Sequence, residues 1–79
     1  MTFAFILINT IAGSEEKVVE KMRSIKGISE IHTVYGTFDI IAKIQIEEPD
    51  DRMKEEITWK IRGIKEVQST TTLIVAKSY

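Results

Sequence analysis

The sequence has no cysteine, one proline (Pro49), one histidine (His32) and one tryptophan (Trp59). Without cysteine there is no disulfide framework and no thiolate metal site, and a lone histidine argues against structural zinc. Neither sign of charge is in excess: 11 basic and 12 acidic residues leave −1, spread along the chain. That near-balance offers no field to draw in a phosphate backbone. No apolar run could cross a bilayer. FAFILINTI at residues 3–11 falls far short of the roughly 20 residues a span needs. It also lacks a basic leader and a small-residue cleavage site. It reads as a buried strand, and the protein is expected to be cytoplasmic. A cysteine nucleophile, a second histidine, a G-x-S-x-G elbow and a phosphate-cradling glycine loop are all missing. No cofactor is expected, and no linker or low-complexity tract divides residues 1–79, which read as one domain.

What is present is a weak internal repeat. IKGISEIHT at residues 25–33 and IRGIKEVQS at residues 61–69 share the pattern I-(K/R)-G-I-x-E-(I/V), offset by 36 positions. In each half an amphipathic segment precedes the glycine and a strand follows it, which suggests two strand–helix–strand units. Ser14 is the expected N-cap of the first helix, with Glu15 and Glu16 in the turn where the helix dipole favours anions. Val18, Val19, Met22 and Ile25 form its apolar stripe, and Gly27 its left-handed stop. The second helix is expected from Pro49-Asp50-Asp51 to Gly63, with Met53, Ile57, Ile61 and Ile64 on one side. Strands are expected over about 3–11, 28–35, 38–46 and 67–77. The resulting β-α-β-β-α-β order is α+β and ferredoxin-like. Right-handed crossovers put the antiparallel strands in the order 4-1-3-2, with both helices on one face.

Two helices cover one sheet face, yet both faces are apolar. The first strand carries Phe3, Phe5, Leu7 and Ile11 at odd positions and Ala4, Ile6 and Ile8 at even ones. In the third, Phe38, Ile40, Ala42, Ile44 and Ile46 are assigned to the helices, and Asp39, Ile41, Lys43 and Gln45 to the open face. In the fourth, Val67, Leu73 and Val75 are expected on one side, and Thr70, Thr72, Ile74 and Ala76 on the open side. An exposed apolar face of that extent marks an interface. The economical arrangement is a symmetric dimer, a dimeric α/β barrel closed by face-to-face sheets. Trp59 lies opposite the apolar stripe of its helix and is expected to pack on a loop or a second subunit.

VYGTFDI at residues 34–40 poses a chemical question. Asp39 interrupts an apolar run, and a carboxylate there is costly to bury unless something pairs with it. It meets either water at a hairpin end or a cationic group the chain does not supply. Thr70 and Thr72 are expected near the same rim, one strand away from Asp39. His32 is the only conventional base near neutral pH and shares edge-strand parity with Glu30.

The segments GISEIHTVYGTFDI (27–40) and GIKEVQSTTTLIV (63–75) carry a resemblance that extends over essentially the whole chain. They resemble the RAM domain, the C-terminal effector domain of the Lrp/AsnC family of prokaryotic transcription regulators. The resemblance implies a homodimer through the sheets, assembly into higher oligomers, and a free amino acid held between subunits. It carries ligand contacts onto Gly36, Asp39, Thr70 and Thr72, and less directly onto Tyr35 and Thr37. Family regulators also have a helix-turn-helix domain ahead of this one, whereas this chain begins at the first strand and is similar to a stand-alone RAM domain. It is therefore expected not to bind DNA itself, and to act in amino-acid metabolism, with full-length regulators as further partners. Two other readings compete. One is a small dimeric α/β-barrel enzyme, similar to cofactor-free oxygenases, using His32 in a cavity between sheet and helices. The other is an ACT-like module joined edge to edge, which the two apolar faces of the first strand disfavour.

Overall fold

Strand-forming segments in four places and apolar residues at helical spacing in two others lead to six elements. The computed structural model describes residues 2–46 and 52–79. Its elements are β1 (Thr2–Thr10), α1 (Glu15–Arg23), β2 (Ile28–Thr33), β3 (Ile40–Ile46), α2 (Arg52–Arg62) and β4 (Val67–Ile74). The sheet order is β2-β3-β1-β4, which is 4-1-3-2 read from the other edge, and every pairing is antiparallel. This is the expected ferredoxin-like βαββαβ fold.

The core lies between the helices and one sheet face. Ala4, Ile6 and Ile8 of β1 and Ile40, Ala42 and Ile44 of β3 have no exposed surface. They pair directly as Ala4–Ile44, Ile6–Ala42 and Ile8–Ile40. Val18 and Met22 of α1 and Ile57 and Ile61 of α2, with Ile64 just beyond it, close over them. Each isoleucine or methionine buried here contributes about 1.5–3 kcal/mol. The stripes read from the sequence therefore face inward, and Trp59 faces outward, 68% exposed. The predicted start of the second helix at Pro49-Asp50-Asp51, and the side chains of Ile46 and Met53, lie outside the described residues.

Several local expectations are corrected. Ser14 occupies the cap position and its carbonyl accepts Val18 N–H at 3.0 Å. Its hydroxyl, however, donates back to the Ile11 carbonyl and leaves the helix amides alone. The first helix stops at Arg23, where Ile25 N–H reaches only to the Met22 carbonyl (2.9 Å). Gly27 is left-handed (φ +106°) but lies beyond that end. Gly63 closes the last turn of α2 by donating to the Trp59 carbonyl. The second and third strands are also shorter than expected, because residues 34–39 form an irregular turn.

The largest correction concerns β4. Asn9 pairs with Ser69 but Thr10 pairs with Val67, so Gln68 is an extra residue with no partner on β1. A one-residue bulge reverses side-chain parity along the rest of a strand. Thr70 and Thr72 consequently stand opposite Ile8 and Ile6, on the helix side, and Ile74 stands opposite Ala4. Thr71 and Leu73 take the open side, opposite Leu7 and Phe5. The open face is thus greasier than the sequence suggested, with Phe3, Phe5, Leu7, Ile41 and Leu73 on adjacent strands. Elsewhere, Lys21 of α1 reaches Glu66 in the α2–β4 connection at 3.0 Å. That hydrogen bond holds the Glu66 carboxyl below its ordinary range.

Candidate functional site

The C-terminal end of β1, the first turn of α1 and the β2–β3 turn meet at one end of the sheet. Asp39 sits just before β3, and its backbone is fixed twice. Its N–H donates to the Ile8 carbonyl, and its carbonyl accepts from Val34 N–H, both at 2.9 Å. Its side chain turns to the strand end. Oδ2 accepts the backbone N–H of Thr10 at 2.8 Å and the Thr10 hydroxyl at 3.4 Å. Thr10 is nearly buried, so Asp39 supplies an acceptor that its amide would otherwise lack. The sequence left the partner of Asp39 as water or an external cation; the structure adds this internal one.

The same carboxylate lines a recess of about 350 Å³ together with Glu15, Glu16, Thr33, Val34 and Tyr35. That is enough space for a small ligand. Three acidic residues line it, and among the described residues no lysine or arginine does, an excess of negative charge that suits a cation. The aromatic ring of Tyr35 stands fully in solvent at its mouth. Gly36 holds φ +135° at the tip of the turn. A side chain there would meet no neighbour within 4 Å, so the constraint at Gly36 is conformational and not steric crowding. Among the described residues no backbone hydrogen bond engages the N–H of Gly36 or Thr37.

The structure thus groups Asp39 with Tyr35, beside Gly36 and Thr37, but does not bring Thr70 and Thr72 to them within one chain. Thr70 lines a separate cleft of about 410 Å³ with Arg62, Val67, Gln68 and Ser69, on the far side of β1. The expected cluster on the open face is therefore split, because the β4 bulge turns the threonines towards α2 and the end of β3 frees Asp39 from the sheet. Sequence reasoning missed Thr10, Glu15, Glu16 and Thr33 as neighbours of Asp39. For the two glutamates a signal existed, since a first-turn acidic pair must lie where the preceding strand ends.

His32 lies on edge strand β2, opposite Ile41 on the open face. It is not in a cavity between sheet and helices, as the enzyme reading required. Its Nε2 is 3.1 Å from Glu30 Oε1, and Glu30 Oε2 is 3.5 Å from Lys43 Nζ. The His32 hydrogen bond, then the Lys43 charge, hold the Glu30 carboxyl below its usual range. Lys43 in turn lies 4.2 Å from the centre of the Phe3 ring. Among the described residues no group of three histidine, aspartate or glutamate side chains could hold a metal ion. None of the helices described is long and apolar enough to cross a membrane.

Comparison with known proteins gives this arrangement a family. An uncharacterized HTH-type transcriptional regulator of Pyrococcus furiosus is 34% identical over 76 residues, covering 92% of this chain and 50% of the regulator. The chain thus spans about half the length of that relative. A hypothetical protein of Pyrococcus horikoshii has the same fold with a TM-score of 0.80 and 38% identity, over 100% of this chain and 94% of that one. AsnC of E. coli superposes with a TM-score of 0.84 at 28% identity, over 98% of this chain and 52% of AsnC. The family model of the Lrp/AsnC ligand binding domain matches residues 3–79. With that match over nearly every residue and the sheet order observed here, the chain belongs to the Lrp/AsnC family as its ligand-binding domain.

Proposed function

We propose that this domain senses a free amino acid in the recess beside Asp39 and transmits its presence through subunit assembly. One observation carries the reading. In a domain of a ligand-binding family, a small recess is lined by three acidic residues and, among the described residues, by no cation. The α-ammonium of an amino acid supplies the missing charge, pairing with the Asp39 oxygen that Thr10 leaves free. The exposed amides at Gly36-Thr37 receive the α-carboxylate, as consecutive N–H groups in a tight turn receive anions. Tyr35 lies across the side chain of the ligand. Thr70 and Thr72 belong to the other side of β1, so they reach this ligand only from a neighbouring subunit.

The open faces pack together in a homodimer, since Phe3, Phe5, Leu7, Ile41 and Leu73 have no helix to cover them. Higher oligomers, and joint assembly with full-length regulators of the family, follow from further contacts between dimers. The module works in the cytoplasm in the regulation of amino-acid metabolism. It carries out no catalysis, and the charge balance supports a domain that does not bind DNA by itself. The test is a thermal-shift screen of the protein amino acids, followed by calorimetry on any that stabilise it. Stabilisation should scale as RT ln(1 + [L]/Kd). If none of them shifts the melting temperature or gives binding heat, the sensing role is wrong.

A further inference from the structure

The acidic residues of the recess differ in what they already meet. One oxygen of Asp39 accepts from Thr10. Outside the recess, Glu20, Glu30 and Glu66 each pair with a basic side chain of the chain itself. Glu15 and Glu16 line the recess with Asp39, yet among the described residues neither side chain has an ion pair or hydrogen bond. The helix dipole accounts for acids in the first turn of α1. It does not account for their sharing one concave space with a third acid. A cleft lined by one sign of charge concentrates its field on whatever enters.

That a ligand binds this domain rests on the family match and not on the acids; the acids bear on its charge. An amino acid bound as proposed above places its α-ammonium at Asp39 and its α-carboxylate on the turn amides. The two charges cancel, so Glu15 and Glu16 are left to what the side chain of the ligand carries. An acidic side chain would add a further negative charge. A neutral one would leave both glutamates unpaired beside it. Only a cationic one gives them a partner. We infer that the effector is a basic amino acid, of the lysine, ornithine or arginine class, whose side-chain cation is held by Glu15 and Glu16. The inference rests on the amino-acid reading of the recess and names the specificity-determining residues within it. The rest of the lining agrees. Val34 and Tyr35 offer apolar surface to the methylenes of such a side chain, which pack on it while the charged end stays wet.

The size of the preference follows from exposure. Glu16 is exposed and Glu15 half-buried, so each pairing is worth only a few-fold in affinity. Both together should favour a basic ligand by roughly tenfold over a neutral one of similar shape. The advantage should shrink as salt screens the glutamates.

Calorimetry on the intact chain tests this with two matched pairs of ligands. Norleucine keeps the carbon chain of lysine without its amine, and citrulline replaces the guanidinium of arginine with a neutral group. Lysine or arginine should bind about tenfold tighter than its neutral counterpart, and glutamate should give no binding heat. Raised salt should narrow the gap. The double variant Glu15→Gln with Glu16→Gln should close it, and Glu16→Gln alone, at an exposed position, should close it part-way. Thermal unfolding without ligand confirms that each variant is folded. Neutral amino acids that bind as tightly as both basic ones, or a gap that persists in the double variant, overturn the inference and leave the sensing role standing. Absence of binding by every amino acid removes the sensing role and the inference together.

Discussion

Replacing Asp39 separates the hydrogen bond that the structure gives its carboxylate from the ligand contact proposed for it. Asp39→Ala removes the carboxylate oxygen that accepts the N–H of Thr10, a residue 5% exposed. Leaving a buried donor unsatisfied costs roughly 1–3 kcal/mol, so the alanine variant should lose about that much stability with no ligand present. Asp39→Asn keeps an oxygen in the same place. Exchanging a charged acceptor for a neutral one costs about 1 kcal/mol, so the asparagine variant should stay close to wild type. Ligand binding should respond differently, because both variants delete the charge proposed to meet the α-ammonium. Loss of one partner of a desolvated charge pair costs about 2–5 kcal/mol, and about 1.4 kcal/mol is tenfold in affinity. Both variants should therefore bind the effector from about thirtyfold to a few thousandfold more weakly. Urea unfolding without ligand and calorimetry with it measure the two effects independently. Undiminished binding by Asp39→Asn would show that the charge of Asp39 meets no ligand. Unchanged stability in Asp39→Ala would show that the Thr10 bond contributes nothing, and the structural role would fall.

Further outcomes follow from other parts of the molecule. Ile41→Glu places a charge on the open face, where a free chain would hydrate it, so it should leave the fold intact and abolish sheet pairing; a variant of wild-type mass in sedimentation refutes the face-to-face dimer. Ile61→Ala opens a cavity under α2 and should cost about 2–5 kcal/mol in urea unfolding, with a loss under 1 kcal/mol contradicting the packing described. For Glu66 the folded carboxyl lies below its ordinary range, so the folded state takes up a proton less readily than the unfolded chain. Its contribution to stability is complete above the ordinary carboxylate range and disappears as pH falls through the lowered value. Glu66→Gln should therefore flatten the acid limb of the stability–pH profile and leave its slope at neutral pH alone. An acid limb as steep as that of wild type would show that the Lys21–Glu66 pair does not govern it.

The elements, their order and the identity of the core were legible because each rests on a period that survives local irregularity. Ile57, Ile61 and Ile64 recur at helical spacing, and Ala4, Ile6 and Ile8 alternate on a strand paired along both sides. Such patterns tolerate an error of a residue or two at either end. The assignment of faces in β4 does not, because it depends on counting by twos without a slip. Gln68 breaks that count, and nothing in VQSTTTLIV marks it: no glycine stands there, and three successive threonines fit a strand in either parity. The partner of Asp39 was hidden for a related reason. The group that meets it is the main-chain N–H of Thr10, which every residue but proline possesses, so no side-chain search could single it out. What selects Thr10 is position, since β1 runs past the point where β3 begins, and there the Asp39 side chain takes its amide. Both misses therefore arise where the sheet stops being regular, at the rim that also carries the recess. Regular pairing satisfies backbone groups and leaves nothing for a ligand. A bulge on one strand and an early end on another free side chains and amides from the ladder. The end of the sheet proposed to bind is therefore the end whose residues escape the pattern that makes the rest readable.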